Sequence, residues 1–80
     1  MNSRSEDRLL AALGRRVKER REALGLSRQA TADRAGINFD YLGSIERGER
    51  NVATINLARL ARALDYEDVG QLMDGLSLPS

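Results

Sequence analysis

Apolar residues in this chain recur at helical spacing, in stripes interrupted by glycine or by polar pairs. Leu9, Leu10, Leu13, Val17 and Leu24 fall largely on one face, which predicts a first helix over residues 6–23, stopped by Gly25. Gly14 costs about 1 kcal/mol relative to alanine inside such a helix, so it marks either a tight packing contact or the onset of the domain proper. A second helix, 27–35, turns Ala30, Thr31, Ala32 and Ala35 inward, with Leu26 packing ahead of it. A third, 38–47, offers Leu42 and Ile45, with Ile37 as a hydrophobic staple. Gly48 ends it, and residues 49–53 form a polar loop. From Thr54 the spacing of Leu57, Leu60, Ala61 and Leu64 gives a fourth helix, with Arg59 and Arg62 outward. After a break at Asp65 and Tyr66, residues 67–74 form a short fifth helix showing Val69, Leu72 and Met73, before Gly75 and Pro79 dissolve the pattern. The expected fold is all-α: one compact five-helix domain over residues 6–76, with flexible ends at 1–5 and 77–80.

The organising stretch is the second and third helices around Gly36. Ser27 and Asn38 are good N-caps, each side chain able to accept from an orphan N–H one turn on. Gly36 can take a positive φ and let the chain turn sharply. Two short helices around a glycine turn have the form of a helix-turn-helix, and equally that of a generic corner in a small helical protein.

Composition narrows the choice. The 80 residues include no cysteine and no histidine, which removes disulfides, Cys/His metal sites and His or Cys catalysis. No serine is paired with an evident base, so an enzyme is not expected, nor is a cofactor. With no signal stretch and no run of membrane-spanning length, a cytoplasmic protein is expected. Eighty residues lie near the lower limit for one unassisted core, which makes a partner subunit plausible. The net charge is only +1, but basic residues concentrate before Asn51, while Asp65, Glu67, Asp68 and Asp74 make the end acidic. Arg15, Arg16, Lys18, Arg20 and Arg21 form a dense run on the first helix, read either as a solvated face or as a polyanion-binding one. Lys18 is the single lysine; the arginine fork suits phosphate and guanine edges, though a GC-rich genome enriches arginine for unrelated reasons.

With these elements placed, the sequence resembles the Cro/C1-type (Xre) helix-turn-helix family over about residues 13–72. The anchors are Leu13-Gly14-Arg15-Arg16-Val17, Arg21, Gly25-Leu26-Ser27, Ala32, Ala35-Gly36, Ile45-Glu46-Arg47-Gly48 and Leu57-Ala58-Arg59-Leu60-Ala61. The run from Glu46 to Val52, followed by Asn56-Leu57, is most similar to the restriction–modification controller proteins. The resemblance implies a lambda-repressor-like fold that binds double-stranded DNA as a homodimer. It places Asn38, Phe39, Asp40, Gly43 and Ser44 nearest base edges, and Arg28, Arg47, Arg50 and Arg16 on phosphates. It also pairs Arg21 with Glu46 as a brace between the first and third helices. Three residues depart from the pattern: Arg28 stands where glutamine is usual, Thr31 replaces a leucine, and Ala53 replaces a capping serine. Phe39 can meet a thymine methyl, stack on sugar or pack on protein. Asp40 can accept from cytosine N4, repel other sequences, or cap the third helix.

Such a protein is expected to be an autoregulatory transcriptional regulator on an inverted-repeat operator, of restriction–modification genes in the controller case, acting as repressor or activator and nucleoid-associated when bound. With no effector module attached, control is expected from concentration, a partner or operator arrangement. Tyr66, Val69, Leu72, Met73 and Leu76 are the expected dimer surface, with Leu72 in particular able to finish the monomer core instead. RNA polymerase enters as a further partner through Glu49, which is otherwise an ordinary solvent-facing charge. The alternative is an antitoxin-like or antirepressor-like interaction module on the same scaffold.

Overall fold

The apolar stripes close into five helices: α1 (Ser3–Ala23), α2 (Arg28–Ala35), α3 (Phe39–Glu46), α4 (Thr54–Ala63) and α5 (Val69–Leu72). These come from a computed structural model that describes residues 3–78 and contains no strand among them. Leu13 and Val17 of α1, Leu42 and Ile45 of α3, Leu60 and Leu64 at α4, and Leu72 of α5 meet in one core with Ala32 and Ala35 of α2. α1 packs on α3, α2 on both α3 and α4, and α5 on α4. Thr31, the polar substitute in this core, is fully buried. Its hydroxyl donates to Ser27 O at 2.9 Å, so the exchange for leucine leaves no orphan donor.

Gly14 is the contact that lets α1 and α3 approach. A Cβ there would lie 2.6 Å from Glu46 O and still nearer Ile45 O, so backbone meets backbone at the C-terminus of α3. This fixes the tilt of α3, the helix that carries the candidate site.

Two helix starts differ from the sequence reading by two or more residues. α1 starts at Ser3, so residues 3–5 are helical rather than a loose arm, while Met1 and Asn2 lie outside the described residues. Once a helix exists, each added residue gains one backbone bond, and Ser5 has an interior to pack on, being 9% exposed. α5 starts at Val69 rather than at residue 67. The Asp68 carboxylate accepts from Gln71 N at 2.9 Å, and Gln71 Oε1 accepts from Glu67 N at 2.8 Å. The two side chains hold residues 67 and 68 outside the helix, much as a capping box does. Ser77 and Leu78 follow without regular structure, and Pro79 and Ser80 lie outside the described residues. The 49–53 loop is polar except at Val52, which is buried and pins it to the core.

α4 has Ala53 at its N-cap and no side-chain cap bond. Its C-terminus closes with Tyr66 N donating to Ala61 O at 2.9 Å, around Asp65 at φ 59°. Aspartate tolerates this left-handed conformation better than most side chains. No helix among the described residues is long and apolar enough to cross a membrane.

Candidate nucleic-acid interface

Local capping sets the α2–α3 unit. Ser27 Oγ accepts from Ala30 N at 3.0 Å, and Asn38 Oδ1 accepts from Asp40 N at 2.8 Å and Tyr41 N at 3.2 Å. Between them Gly36 sits at φ 69°, and Ile37 N donates back to Ala32 O at 3.0 Å, the paired-carbonyl closure of a left-handed cap. Asn38 therefore spends its carbonyl oxygen on the helix and keeps its amide N–H groups toward solvent.

The angle between α1 and α3 is braced by Arg21 and Glu46. Arg21 Nε donates to Oε2 at 2.6 Å and Nη2 to Oε1 at 3.0 Å, a fork-on-fork pair with both side chains buried. Arg21 Nη1 also reaches Leu26 O at 3.3 Å, tying the α1–α2 turn to the same group. The hydrogen bonds Arg21 donates to Glu46 raise the pKa of its guanidinium above the ordinary range, burial acting the other way, so the arginine stays charged. Glu46 has a second cation that the sequence reading assigned elsewhere. Arg28 Nε and Nη2 both lie 3.4 Å from Glu46 Oε1, with the Arg28 side chain 35% exposed.

Around α3 the residues expected near base edges separate into two groups. Asn38, Phe39 and Asp40 stand exposed on its first turn. Gly43 and Ser44, also expected near base edges, are buried in this structure. Arginine side chains cover them. A Cβ on Gly43 would meet Arg47 Nη1 at 3.2 Å and Arg28 Cδ at 3.8 Å, so the glycine is a bed for two guanidinium arms. Ser44 Oγ donates to Tyr41 O at 2.7 Å and accepts from Arg50 Nε at 3.1 Å, which makes it a support for Arg50. Tyr41 and Asn56 complete that support and were not anticipated. Asn56 Nδ2 donates to the Tyr41 hydroxyl at 3.2 Å, and the Arg50 guanidinium lies 5.9 Å from the Tyr41 ring centroid. Arg28, Arg47 and Arg50 thus converge on Gly43 and Ser44 of α3. Arg47 pairs with Glu49 at 3.2 Å, and both are more than half exposed, so solvent screens the pair.

Arg16, also expected on phosphate, does not join them. Its guanidinium donates to Leu72 O at 2.8 Å and Asp74 O at 3.0 Å, where the end of α5 leaves carbonyls without helical partners. Arg20 likewise holds Leu64 O at 2.8 Å and Asp65 O at 3.2 Å. Arg34 holds Ala63 O at 3.0 Å and the Asp65 carboxylate at 3.3 Å. The basic run of α1 therefore sends Arg16 and Arg20 to the ends of α5 and α4, and Arg21 to the brace.

The expected dimer residues are also divided. Leu72 is 0% exposed and belongs to the core, which removes it from any surface. Tyr66, Met73 and Leu76 are half-buried against that core, with Tyr66 under the Arg20 guanidinium at 4.6 Å. Val69 is half-buried and lines a groove with Ala58, Arg62 and Tyr66. Ile55 of α4, overlooked in the sequence, is 67% exposed. It lies outside the Leu57–Leu60–Ala61–Leu64 stripe, and that was the available signal. Among the described residues there is no cluster able to hold a metal ion.

Comparison with known proteins follows the same lines. The helix-turn-helix family profile matches residues 17–69, more than half of the chain. The chain is similar to an uncharacterised transcriptional regulator in the ATPase CF(0) region of Rhodospirillum rubrum, 37% identical over 54 residues, covering 68% of this chain and 50% of that protein. It is also similar to control protein C.SmaI of Serratia marcescens, 40% identical over 53 residues, covering 66% of this chain and 63% of that one. In both cases less than two thirds of the relative is spanned. Among solved structures, the restriction–modification controller protein C.AhdI from Aeromonas hydrophila superposes with a TM-score of 0.75 at 43% identity, over 79% of this chain and 94% of that one. A hypothetical transcription factor, NHTF from Neisseria, gives 0.76 at 30% identity, over 92% and 80%.

Proposed function

The chain belongs to the Cro/C1-type helix-turn-helix family, and from that premise we propose that it is a sequence-specific transcriptional regulator that binds an inverted-repeat operator as a homodimer. The observation that carries this reading is the setting of α3: Asn38, Phe39 and Asp40 exposed on its first turn, with Arg28, Arg47 and Arg50 gathered along the helix behind them. In this reading α3 enters the major groove, its N-terminal side chains meet base edges, and the arginines take flanking phosphates. Likeness to C.SmaI and C.AhdI supports a controller of restriction–modification genes acting on its own promoter. The exposed Ile55 and the half-buried Tyr66, Val69, Met73 and Leu76 are the apolar residues through which two copies would pair. Glu49, exposed beside α3, is the acidic group through which polymerase contact would run.

The test is selection of bound duplexes from a random library. The expected product is an inverted repeat with half-site centres about 34 Å apart, one helical turn, because two-fold protein symmetry is copied into the site. Affinity for every recovered duplex no better than for random sequence, low salt included, overturns the reading.

A further inference from the structure

Phe39 is 40% exposed on the first turn of α3, and it cannot hydrogen-bond to a base. Arg28 of α2 lies along the same helix. Its guanidinium carbon sits 5.7 Å from the Phe39 ring centroid, and its stem passes 3.8 Å from where a Gly43 Cβ would stand. Its Nε and Nη2 end 3.4 Å from Glu46 Oε1. One guanidinium therefore lies within reach of both the aromatic ring at the start of α3 and the buried carboxylate at its end, its stem passing a glycine that leaves room for it.

Neutralising Glu46 does not require this arrangement. Arg21 already holds both carboxylate oxygens, at 2.6 and 3.0 Å. Arg28 adds a second positive charge to a single buried negative one, so its guanidinium is fixed in place without being consumed. A planar cation pinned in this way gives the exposed ring a favourable face to rest against. A lone aromatic on a helix surface would otherwise exchange among staggered rotamers. In the major groove the apolar group that distinguishes one base from another is the C5-methyl of thymine, and a methylated cytosine presents the same group.

We propose that Arg28 is a positioning residue for base reading: it sets the Phe39 ring so that α3 recognises the C5-methyl group of a pyrimidine. The inference rests on the reading of α3 as the groove helix. A residue serving only as a phosphate clamp would change affinity equally on all sequences; Arg28 is expected to change which base is preferred.

The experiment starts from the duplex selected by the wild-type protein and replaces each thymine in turn by deoxyuridine, which removes only the methyl. The wild type should lose about fourfold in affinity at one thymine per half-site, the worth of one buried methyl-sized group. F39A should abolish that sensitivity. R28Q and R28K should reduce it to less than twofold, and R28Q with F39A should be no less sensitive than F39A alone. R28K keeps a cation beside Glu46, so it separates lost positioning from lost folding, and thermal melts of each variant check that the domain is intact. Placing cytosine or 5-methylcytosine at the same position separates the sources of the methyl. A fourfold advantage of the methylated base there means that any pyrimidine methyl is read, and no advantage confines the contact to thymine. Full deoxyuridine sensitivity retained in both Arg28 variants overturns the proposal, as does a wild type indifferent to the methyl at every thymine. A wild type that selects no sequence at all overturns the regulator reading itself, a result distinct from either.

Discussion

Arginines on the two sides of this domain end in different places. Around α3, Arg28, Arg47 and Arg50 lie over Gly43 and Ser44, held by contacts that leave them wholly or partly open to solvent. Behind it, Arg16, Arg20 and Arg34 reach across from α1 and α2 and end on main-chain carbonyls at the ends of α4 and α5. The residue type is the same, and the termini of the helices decide its use. A helix C-terminus leaves carbonyls without partners and carries partial negative charge, so a long cation from a neighbouring helix is drawn there. A basic run on a helix is thus not by itself a count of cations free to meet a ligand. In this protein the densest run, on α1, supplies the brace and two of the clamps.

The comparison can be broken by substitution, and the largest effect should fall on the brace that joins the two sides. Arg21→Ala strips the bidentate partner from a carboxylate whose side chain is 2% exposed. It should cost about 3 kcal/mol, a fall of roughly 15 °C in the melting midpoint of a domain this size, read by circular dichroism. Arg28 remains beside Glu46, so the loss should deepen further in Arg21→Ala with Arg28→Ala, more than additively. Next are the clamps. Arg20→Ala or Arg34→Ala each removes two charge-assisted bonds, but water can reach the freed carbonyls, so about 1 kcal/mol is expected in urea unfolding. Because both arginines meet at Asp65, the double variant should lose less than the sum. The smallest effect should be a gain. Ala53→Ser gives α4 the cap it lacks and should add about 0.5–1 kcal/mol. No gain would mean that the α4 N-terminus is already satisfied in another way.

How much of this could be read from the sequence depended on range. The α2–α3 unit was legible because Ser27, Gly36 and Asn38 act within a turn or two of themselves. The Arg21–Glu46 pair was legible through family resemblance, not spacing, since 25 residues separate the partners. Nothing local announced the destinations of Arg16, Arg20 and Arg34, whose acceptors lie 29–58 residues away and, the Asp65 carboxylate apart, are carbonyls that carry no side-chain signature. Gly43 and Ser44 are placed near base edges by family resemblance, which says nothing of their burial. Their burial depends on Arg28, Arg47 and Arg50 folding back over them, which helix periodicity does not encode. Leu72 takes the core place that the sequence leaves open to it, and Ile55 stands exposed without having been singled out. Capping at Asp68 shortens α5 and sets Leu72 inward, while Ile55 stands clear of the core stripe of α4.

Counterion release measures directly which arginines meet DNA. Binding to a selected duplex should be titrated across salt for the wild type, for Arg47→Ala, for Arg50→Ala and for Arg16→Ala. Each phosphate contact removed lowers the slope of log affinity against log salt by about 0.9. Arg47→Ala and Arg50→Ala should each show that drop, while Arg16→Ala, whose guanidinium is held on Leu72 O and Asp74 O, should keep the wild-type slope. A slope lowered by Arg16→Ala and unmoved by Arg47→Ala and Arg50→Ala would contradict the division between the two sides.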